Sequence, residues 1–386
     1  MPQSVMSRPI PAAERAIAPQ PQPPADPYGY LLVHFIENPA HYAERIYLDR
    51  SDGDDPERWI PLNGGKPVLT SNLGTKGVRD PYLTRNPENG RVYVIATDLQ
   101  VFAGGHGSDG NSDWWGFSHH GSTNLIIWET DDLVHFQGPR ALDVSALPGG
   151  GHAPLGMAWA PEALWVADYY PAGTPGGRGA FVLYWSSKVF AADDPGHTAE
   201  SYDRVLWGAT SDFTNETFEF GGTFIGRGHS TIDTTMLQRR VADGHIRTYR
   251  ATKDNGPAET QGIWLDATDS PRWWEPDAEW AVIQEGVGTE WAPDGRAGGL
   301  EGPALFASHG EDGRAFMFVD VIPSIGYRPM VTDDPDRGFD YLRDDRFHMA
   351  PHTKHGGVLS LSRAEYERIV AADAEGLYAE DLRTEI

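Results

Sequence analysis

The sequence predicts an all-β protein: a five-bladed β-propeller, its ring closed by a C-terminal strand that joins the N-terminal blade, with a short C-terminal helix. Three observations predict it. Short runs rich in β-branched and aromatic residues dominate the chain, each bounded by Gly, Pro, Asn or Asp. A Ser/Thr-Asp dipeptide follows such a run five times. Four more strand-like runs open beside an acidic residue.

Taken in order, residues 1–27 are rich in Pro, Gln and Ala and read as a flexible lead-in, and residues 28–386 read as one propeller domain. The most apolar runs are Tyr30–Ile36, Val92–Thr97, Asn124–Trp128, Phe181–Ser186 and Phe316–Val321. The dipeptides are Ser51-Asp52, Thr130-Asp131, Ser211-Asp212, Thr268-Asp269 and Thr332-Asp333. Ser/Thr-Asp also forms ordinary turns, so alone it is a weak repeat signal. The second series strengthens it: Arg79-Asp80-Pro81, Ala160-Pro161-Glu162, Ile232-Asp233-Thr234 and Leu300-Glu301-Gly302-Pro303 each open a short strand. Asn89-Gly90, Asp243-Gly244 and Asp312-Gly313 then supply hairpin turns in three of the four units.

Each unit thus reads as inner strand, turn, middle strand, link, and a strand ending in Ser/Thr-Asp. The first unit lacks an inner strand, and Lys354–Leu361 offers one. Pairing it with Tyr30–Ile36 closes the ring and leaves only short, protected edges. Ser362-Arg363-Ala364-Glu365 is a capping box that starts a helix running to about residue 372.

Bulk properties exclude several functions. The 386 residues carry a formal net charge of −25 and no Lys/Arg-rich run, which excludes a nucleic-acid partner and disfavours an anionic membrane surface. A neutral partner such as an oligosaccharide suits that charge. The absence of cysteine excludes disulfides and thiolate chemistry. No stretch approaches a membrane span, and the N-terminus has no signal-peptide core, so the chain as written is expected to be cytoplasmic. The oligomeric state is left open.

Inner strands line a propeller's axis, so equivalent positions point at one place. Asp80, Glu162, Asp233, Glu301 and His355 occupy roughly that position in the five units. Like charges gathered in low dielectric are unfavourable, and function is the usual reason to keep them. Solvent-exposed residues at strand starts are the plainer reading of some.

At these residues the chain resembles glycoside hydrolase family 43. The matching segments are Gly77-Val78-Arg79-Asp80-Pro81, Trp159-Ala160-Pro161-Glu162, Ser230-Thr231-Ile232-Asp233, Leu300-Glu301-Gly302-Pro303 and Lys354-His355-Gly356, in the family's order. The resemblance implies a five-bladed propeller enzyme that inverts configuration and acts mainly on arabinosides and xylosides. It implies Asp80 as general base, Glu301 as general acid, and Asp233 as the residue that orients the acid and raises its pKa. Trp159, Glu162 and His355 become substrate-binding candidates. No metal is required, and a structural calcium ion in the central channel near His355 is implied by likeness alone.

Inverting hydrolysis needs one carboxylate to activate water and one carboxylic acid to protonate the leaving oxygen, roughly 6.5–9.5 Å apart. Asp80 and Glu301 on different blades can supply that gap. The expected activity is removal of terminal pentoses, α-L-arabinofuranosyl residues first, from plant-type oligosaccharides. A β-xylosidase or endo-arabinanase on the same scaffold is the alternative, and a non-catalytic sugar-binding propeller is the rival from another class. A fructan hydrolase would show Asn-Asp-Pro-Asn-Gly and Glu-Cys, and this chain has neither.

Three features depart from the pattern. Asp26-Pro27 is a second Asp-Pro, in the lead-in. Trp291-Ala292-Pro293-Asp294 repeats the Trp-Ala-Pro segment and reads as a loop near the pocket. The insertion Val101–Gly121, with Trp114, Trp115, His119 and His120, reads either as a wall of the substrate site or as a packed surface loop. Trp128, Trp185 and Trp264 lie in strand runs and read as core.

Overall fold

The computed structural model describes residues 24–37, 43–102, 112–241, 243–293, 295–310, 313–322, 325–343 and 345–378. The lead-in expected over 1–27 therefore falls mostly outside the described residues.

Five four-stranded sheets make up the fold. The first holds β1 (Pro27–Ile36), β2 (Ala43–Asp52) and β3 (Asp55–Pro61). The second runs β4 (Val78–Arg85), β5 (Val92–Asp98), β6 (Asn124–Thr130), β7 (Gln137–Asp143). The third runs β8 (Trp159–Val166), β9 (Ala180–Lys188), β10 (Asp203–Thr210), β11 (Glu219–Ile225). The fourth runs β12 (Thr231–Arg240), β13 (Ile246–Asp254), β14 (Gly262–Thr268), β15 (Ala281–Val287). The fifth runs β16 (Leu300–Ala307), β17 (Ala315–Val321), β18 (Gly326–Thr332), β19 (Asp340–Tyr341). The last strand, β20 (Thr353–Ser362), pairs antiparallel with β1 at Leu31↔Leu359 and Val33↔Gly357 and completes the first blade, the closure expected from the two chain ends.

Each blade buries both faces, which explains why its middle strands read as unbroken apolar runs and not as alternating ones. β5, β14 and β17 are buried along their whole length. Five hydrophobic clusters fill the five gaps between neighbouring blades. One joins Leu31, Val33, Leu48, Val92, Val94 and Ile126 of the first two blades, and another joins Leu32, Trp59, Phe306, Phe316, Phe318 and Tyr327 of the last and first. Trp128, Trp185 and Trp264 belong to these clusters.

The repeated dipeptide has a local cause. In blades two to five the threonine closing the third strand turns its hydroxyl back on the chain. Thr130, Thr210, Thr268 and Thr332 Oγ1 accept from the N–H groups of Asp132, Asp212, Ser270 and Asp334; in blade three the capping residue is therefore Thr210, one position before the Ser211-Asp212 dipeptide. This hydroxyl-capped turn ends the strand and starts the outermost one. A helix over Arg363–Ala374 follows β20; Ser362 and Glu365 form its capping box, and Tyr366, Ile369 and Ala372 pack into the gap between blades one and two. No described helix is long and apolar enough to cross a membrane.

Candidate active site

The inner strands β4, β8, β12, β16 and β20 begin at one mouth of the axis, and each of the first four carries one extra residue there. Pairing with the next strand slips between Arg79 and Tyr82, Trp159 and Glu162, Ile232 and Thr234, and Glu301 and Ala304. The bulged residue is left-handed in every case: Asp80 at φ 47°, Ala160 at 49°, Asp233 at 52° and Gly302 at 50°. A bulge of this kind re-aims a side chain and ends pairing. Only one of the four is glycine, so three side chains are held where an L-residue costs roughly 1–2 kcal/mol, a strain typical of functional positions.

The bulges also tie the blades together. Thr97 Oγ1 on β5 donates to Asp80 Oδ2 at 2.9 Å and accepts the Ala160 N–H at 2.8 Å. Ser186 Oγ accepts the Asp233 N–H at 3.1 Å, and Asp233 Oδ2 accepts the Gly302 N–H at 3.1 Å. Gly302 is required twice over: its φ is positive, and a Cβ there would stand 2.8 Å from His355 Cγ.

The five positions singled out in the sequence are brought together, but they are not equivalent. Asp80 and Asp233 are the bulged residues. Glu301 sits one residue before its bulge, and Glu162 two residues after its own, further down the axis. His355 Nδ1 lies between the bulged pair, 3.4 Å from Asp80 Oδ1 and 4.0 Å from Asp233 Oδ2. Glu162 Oε2 accepts from Tyr184 Oη at 3.0 Å. Glu301 is the most solvent-open of the trio, 30% exposed against 15% for Asp80 and 10% for Asp233.

Charge is matched closely. Burial pulls the His355 pKa down, but Asp233, Asp80 and Glu162 outweigh it and raise it to about 10, so the ring is an imidazolium. Burial pushes the Asp80 carboxyl up, but the hydrogen bond and charge of His355, with Arg79 and Thr97, hold it below its ordinary value. Burial raises Asp233 to about 6 despite His355, with Glu301 and Asp80 adding to the rise. Burial raises Glu162 to about 8 against His355, Tyr184 and Thr235.

Several charged residues at this mouth escaped sequence reasoning. Lys354 Nζ stands 3.6 Å from Glu301 Oε1, 3.2 Å from Asp320 Oδ2 and 3.0 Å from Glu37 Oε2. Burial lowers the Lys354 pKa, but Asp320, Glu301 and Glu37 outweigh it and keep it cationic. Asp320 is directly cross-strand from Glu301. Its signal was a lone carboxylate in the apolar run Phe316–Val321. Arg79, next to Asp80, donates to Glu44 Oε1 at 2.9 Å and lies 4.7 Å over the Phe35 ring. Lys253, buried opposite Ile232, donates to Gly298 O at 3.2 Å. Among the described residues no group of three or more His, Asp or Glu side chains could hold a metal ion.

The family model for a "probable glycosyl hydrolase domain" related to glycoside hydrolase family 43 matches residues 26–367. The chain belongs to this family. Residues 26–367 form a domain of this family 43-related type. An α-L-arabinofuranosidase of Bifidobacterium longum subsp. longum is 25% identical over 285 residues, 67% of this chain. The match spans only 24% of that relative's length. Among solved structures, a thermostable family-43 glycoside hydrolase aligns with a TM-score of 0.44 at 17% identity, covering 72% of this chain and 75% of its own. An exo-1,5-α-L-arabinanase from a bovine ruminal metagenomic library gives 0.37 at 15% identity, covering 74% and 78%. An exo-β-1,3-galactanase from Phanerochaete chrysosporium gives 0.42 at 11% identity, covering 69% and 49%.

The departures resolve as follows. Asp26 lies beside Pro27, which pairs with Ser362 at the far end of β20, away from His355. Trp291 lies in the turn between β15 and β16, and its ring packs outward: it lies 4.1 Å from that of Tyr341 on β19, and Nε1 donates to Pro329 O on β18. Asp294 lies outside the described residues.

Proposed function

We propose that this family member is an inverting exo-glycosidase that removes terminal α-L-arabinofuranosyl residues from oligosaccharides. The observation that carries the reading is that Asp80 and Asp233 converge on one imidazolium at the mouth of the axis, with Glu301 held beside them by the Gly302 N–H that Asp233 accepts. Asp80, ionised and held by Thr97 and His355, serves as the base that takes a proton from the attacking water. Glu301, the most open of the three, protonates the leaving oxygen. Asp233 is fixed by the peptide N–H that follows Glu301 and positions the acid. Acid–base help of this kind is worth roughly 10²–10⁴-fold.

Trp159, directly before the Ala160 bulge, offers its ring to the apolar face of the sugar. Glu162, lower in the axis, carries its proton at neutral pH and can donate to a sugar hydroxyl. His355 takes the charge-balancing place that the resemblance gave to calcium. Calcium needs six to eight oxygen ligands, and here the cations among the carboxylates are the side chains of His355, Lys354, Lys253 and Arg79. The arabinofuranosidase match supports the sugar.

Release of p-nitrophenol from the α-L-arabinofuranoside and the β-D-xyloside tests specificity, and proton NMR of the first sugar formed tests stereochemistry. Faster cleavage of the arabinofuranoside with an inverted anomer is expected. Glu301→Gln and Asp80→Asn should each lose at least about 10²-fold in kcat. Retention of configuration, or an undiminished Glu301→Gln enzyme, would overturn the assignment.

A further inference from the structure

We infer that the far end of the propeller axis carries a second hydrolytic site, a triad of Ser360, His309 and Asp54 that cleaves carboxylic esters with an apolar acyl group. The three residues take no part in the carboxylate mouth described above.

Topology puts them at the end of the axis away from Glu301. β16 begins beside Glu301 and ends at Ala307, just before His309. β20 passes His355 near its start and reaches Ser360 roughly 16 Å further along an extended strand. Asp54 sits in the turn between β2 and β3, and Tyr30 on β1 pairs directly with Ser360. Blades one and five thus bring together three residues that lie far apart in the chain.

Their order is that of a proton relay. His309 Nδ1 lies 2.6 Å from Asp54 Oδ1, and His309 Nε2 lies 2.7 Å from Ser360 Oγ. A carboxylate only accepts, so it fixes the ring proton on Nδ1 and leaves Nε2 to accept from the Ser360 hydroxyl. Nucleophile, base and the group that orients the base stand in line. The parts are braced. Asp54 Oδ1 also accepts the Gly29 N–H at 2.7 Å, and Tyr30 Oη accepts the His309 N–H at 2.7 Å. The Tyr30 ring stacks on the imidazole at 4.2 Å.

Histidines that serve only structure are arranged differently. His34 Nε2 meets Asp49 Oδ1, but its Nδ1 faces the Phe35 carbonyl, which has no proton to give. Around His152, Ser145 and Asp143 both approach Nδ1, and the serine donates straight to the carboxylate. Neither set can pass a proton from a hydroxyl through the ring.

The triad opens on a cavity of about 350 Å³. His309 and Ser360 line it together with Tyr82, Leu83, Trp165, Met236 and Phe306. That size suits a small molecule, and those walls suit an apolar acyl chain or ring. Two residues of the wall, Trp165 and Arg85, hold buried donors that lack a partner among the described residues, at Nε1 and Nη2. A buried donor left unpaired is unfavourable, and an ester carbonyl supplies the acceptor. Arg85 is anchored through Nη1 to Glu365 Oε1 at 2.6 Å, which fixes its guanidinium before an oxyanion forms.

The chemistry balances with water as the co-substrate. Ser360 Oγ bonds to the ester carbon and gives its proton to His309 Nε2. The bond to the alcohol oxygen breaks, the alcohol leaves with that proton, and Ser360 carries the acyl group. Water then attacks the acyl carbon, His309 takes a proton from it and returns it to Ser360 Oγ, and the acid departs. Asp54 acts through His309 and is a positioning residue.

Treating the full-length chain with diisopropyl fluorophosphate and mapping the adduct by mass spectrometry tests the nucleophile. Hydrolysis of p-nitrophenyl butyrate tests turnover. The adduct is expected on Ser360, and Ser360→Ala and His309→Gln should each lose at least about 10²-fold in ester hydrolysis. Asp54→Asn keeps an acceptor for the Gly29 N–H but no longer fixes the tautomer, so kcat should fall by at least about 10²-fold at unchanged KM. A chain left unmodified at Ser360, or butyrate ester hydrolysis equal in the parent and Ser360→Ala, would overturn the triad. The labelling needs no variant, so it decides the matter even where Ser360→Ala fails to fold. An Asp54→Asn chain changed in KM alone would overturn the positioning role.

Discussion

Replacing His355 by glutamine keeps a hydrogen-bonding side chain and removes its charge. In the native protein that charge sits 3.4 Å from Asp80 Oδ1 and 4.0 Å from Asp233 Oδ2. A unit-charge pair at such a distance is worth about 4 kcal/mol at an effective dielectric of 20, and desolvation of the imidazolium offsets much of it. Removing one partner of a buried pair costs about 3–5 kcal/mol. The loss should lower the thermal midpoint by on the order of 5 °C.

The pH dependence identifies the cause. His355 has a folded-state pKa of about 10 against an ordinary 6.5. The folded chain therefore binds this proton more tightly than the unfolded chain. The contribution is whole below pH 6.5 and drains away as pH rises to about 10. Glu162 and Asp233 are also raised, to about 8 and about 6, so their contributions fade over lower windows in the same direction. Denaturation midpoints of the parent and His355→Gln should therefore differ most near pH 6 and converge toward pH 10. The acid limb of kcat/KM should also move to higher pH, since Asp80 loses the partner that holds its carboxyl down. A gap in midpoint that stays constant from pH 5 to 10 would refute the reasoning, because it would mean the ring acts by packing alone.

Two further predictions follow from the bulges. Thr97→Val conserves shape but removes the donor to Asp80 and leaves the Ala160 N–H buried without its acceptor, which should cost about 1–3 kcal/mol in urea unfolding. Its acid limb should shift upward, and an unmoved pH–rate profile would argue against Thr97 as a support of the base. Gly302→Ala pays the left-handed penalty of roughly 1–2 kcal/mol and pushes on His355. It should lower both the midpoint and kcat, and a variant equal to the parent in both would contradict the packing described.

Much of the scaffold was legible because its signals are local. A blade's middle strand is buried on both faces, so it must be apolar throughout, as in Phe316–Val321. The third strand ends where a threonine hydroxyl caps its own backbone, as at Thr130 and Thr332. The segments that begin the inner strands were legible for the same reason, since an acidic residue at a strand start needs an explanation in its own neighbourhood. Reading Asp80, Glu162, Asp233 and Glu301 as one equivalent position was too coarse. A bulge changes phase by a single residue, and its signature is a backbone dihedral, which an alanine at 160 or an aspartate at 233 does not advertise.

The sequence by itself determined the five units, the strand character of Lys354–Leu361 and the family motifs, because each depends on residues close together along the chain. Only the tertiary structure decided which side chains face one another: Lys354 with Glu301 and Asp320, His355 between Asp80 and Asp233, and Trp114 against Trp159. These partners sit on different strands or blades, and their separation is set by how the two-sided sheets pack around the axis, a quantity no local pattern of residues encodes.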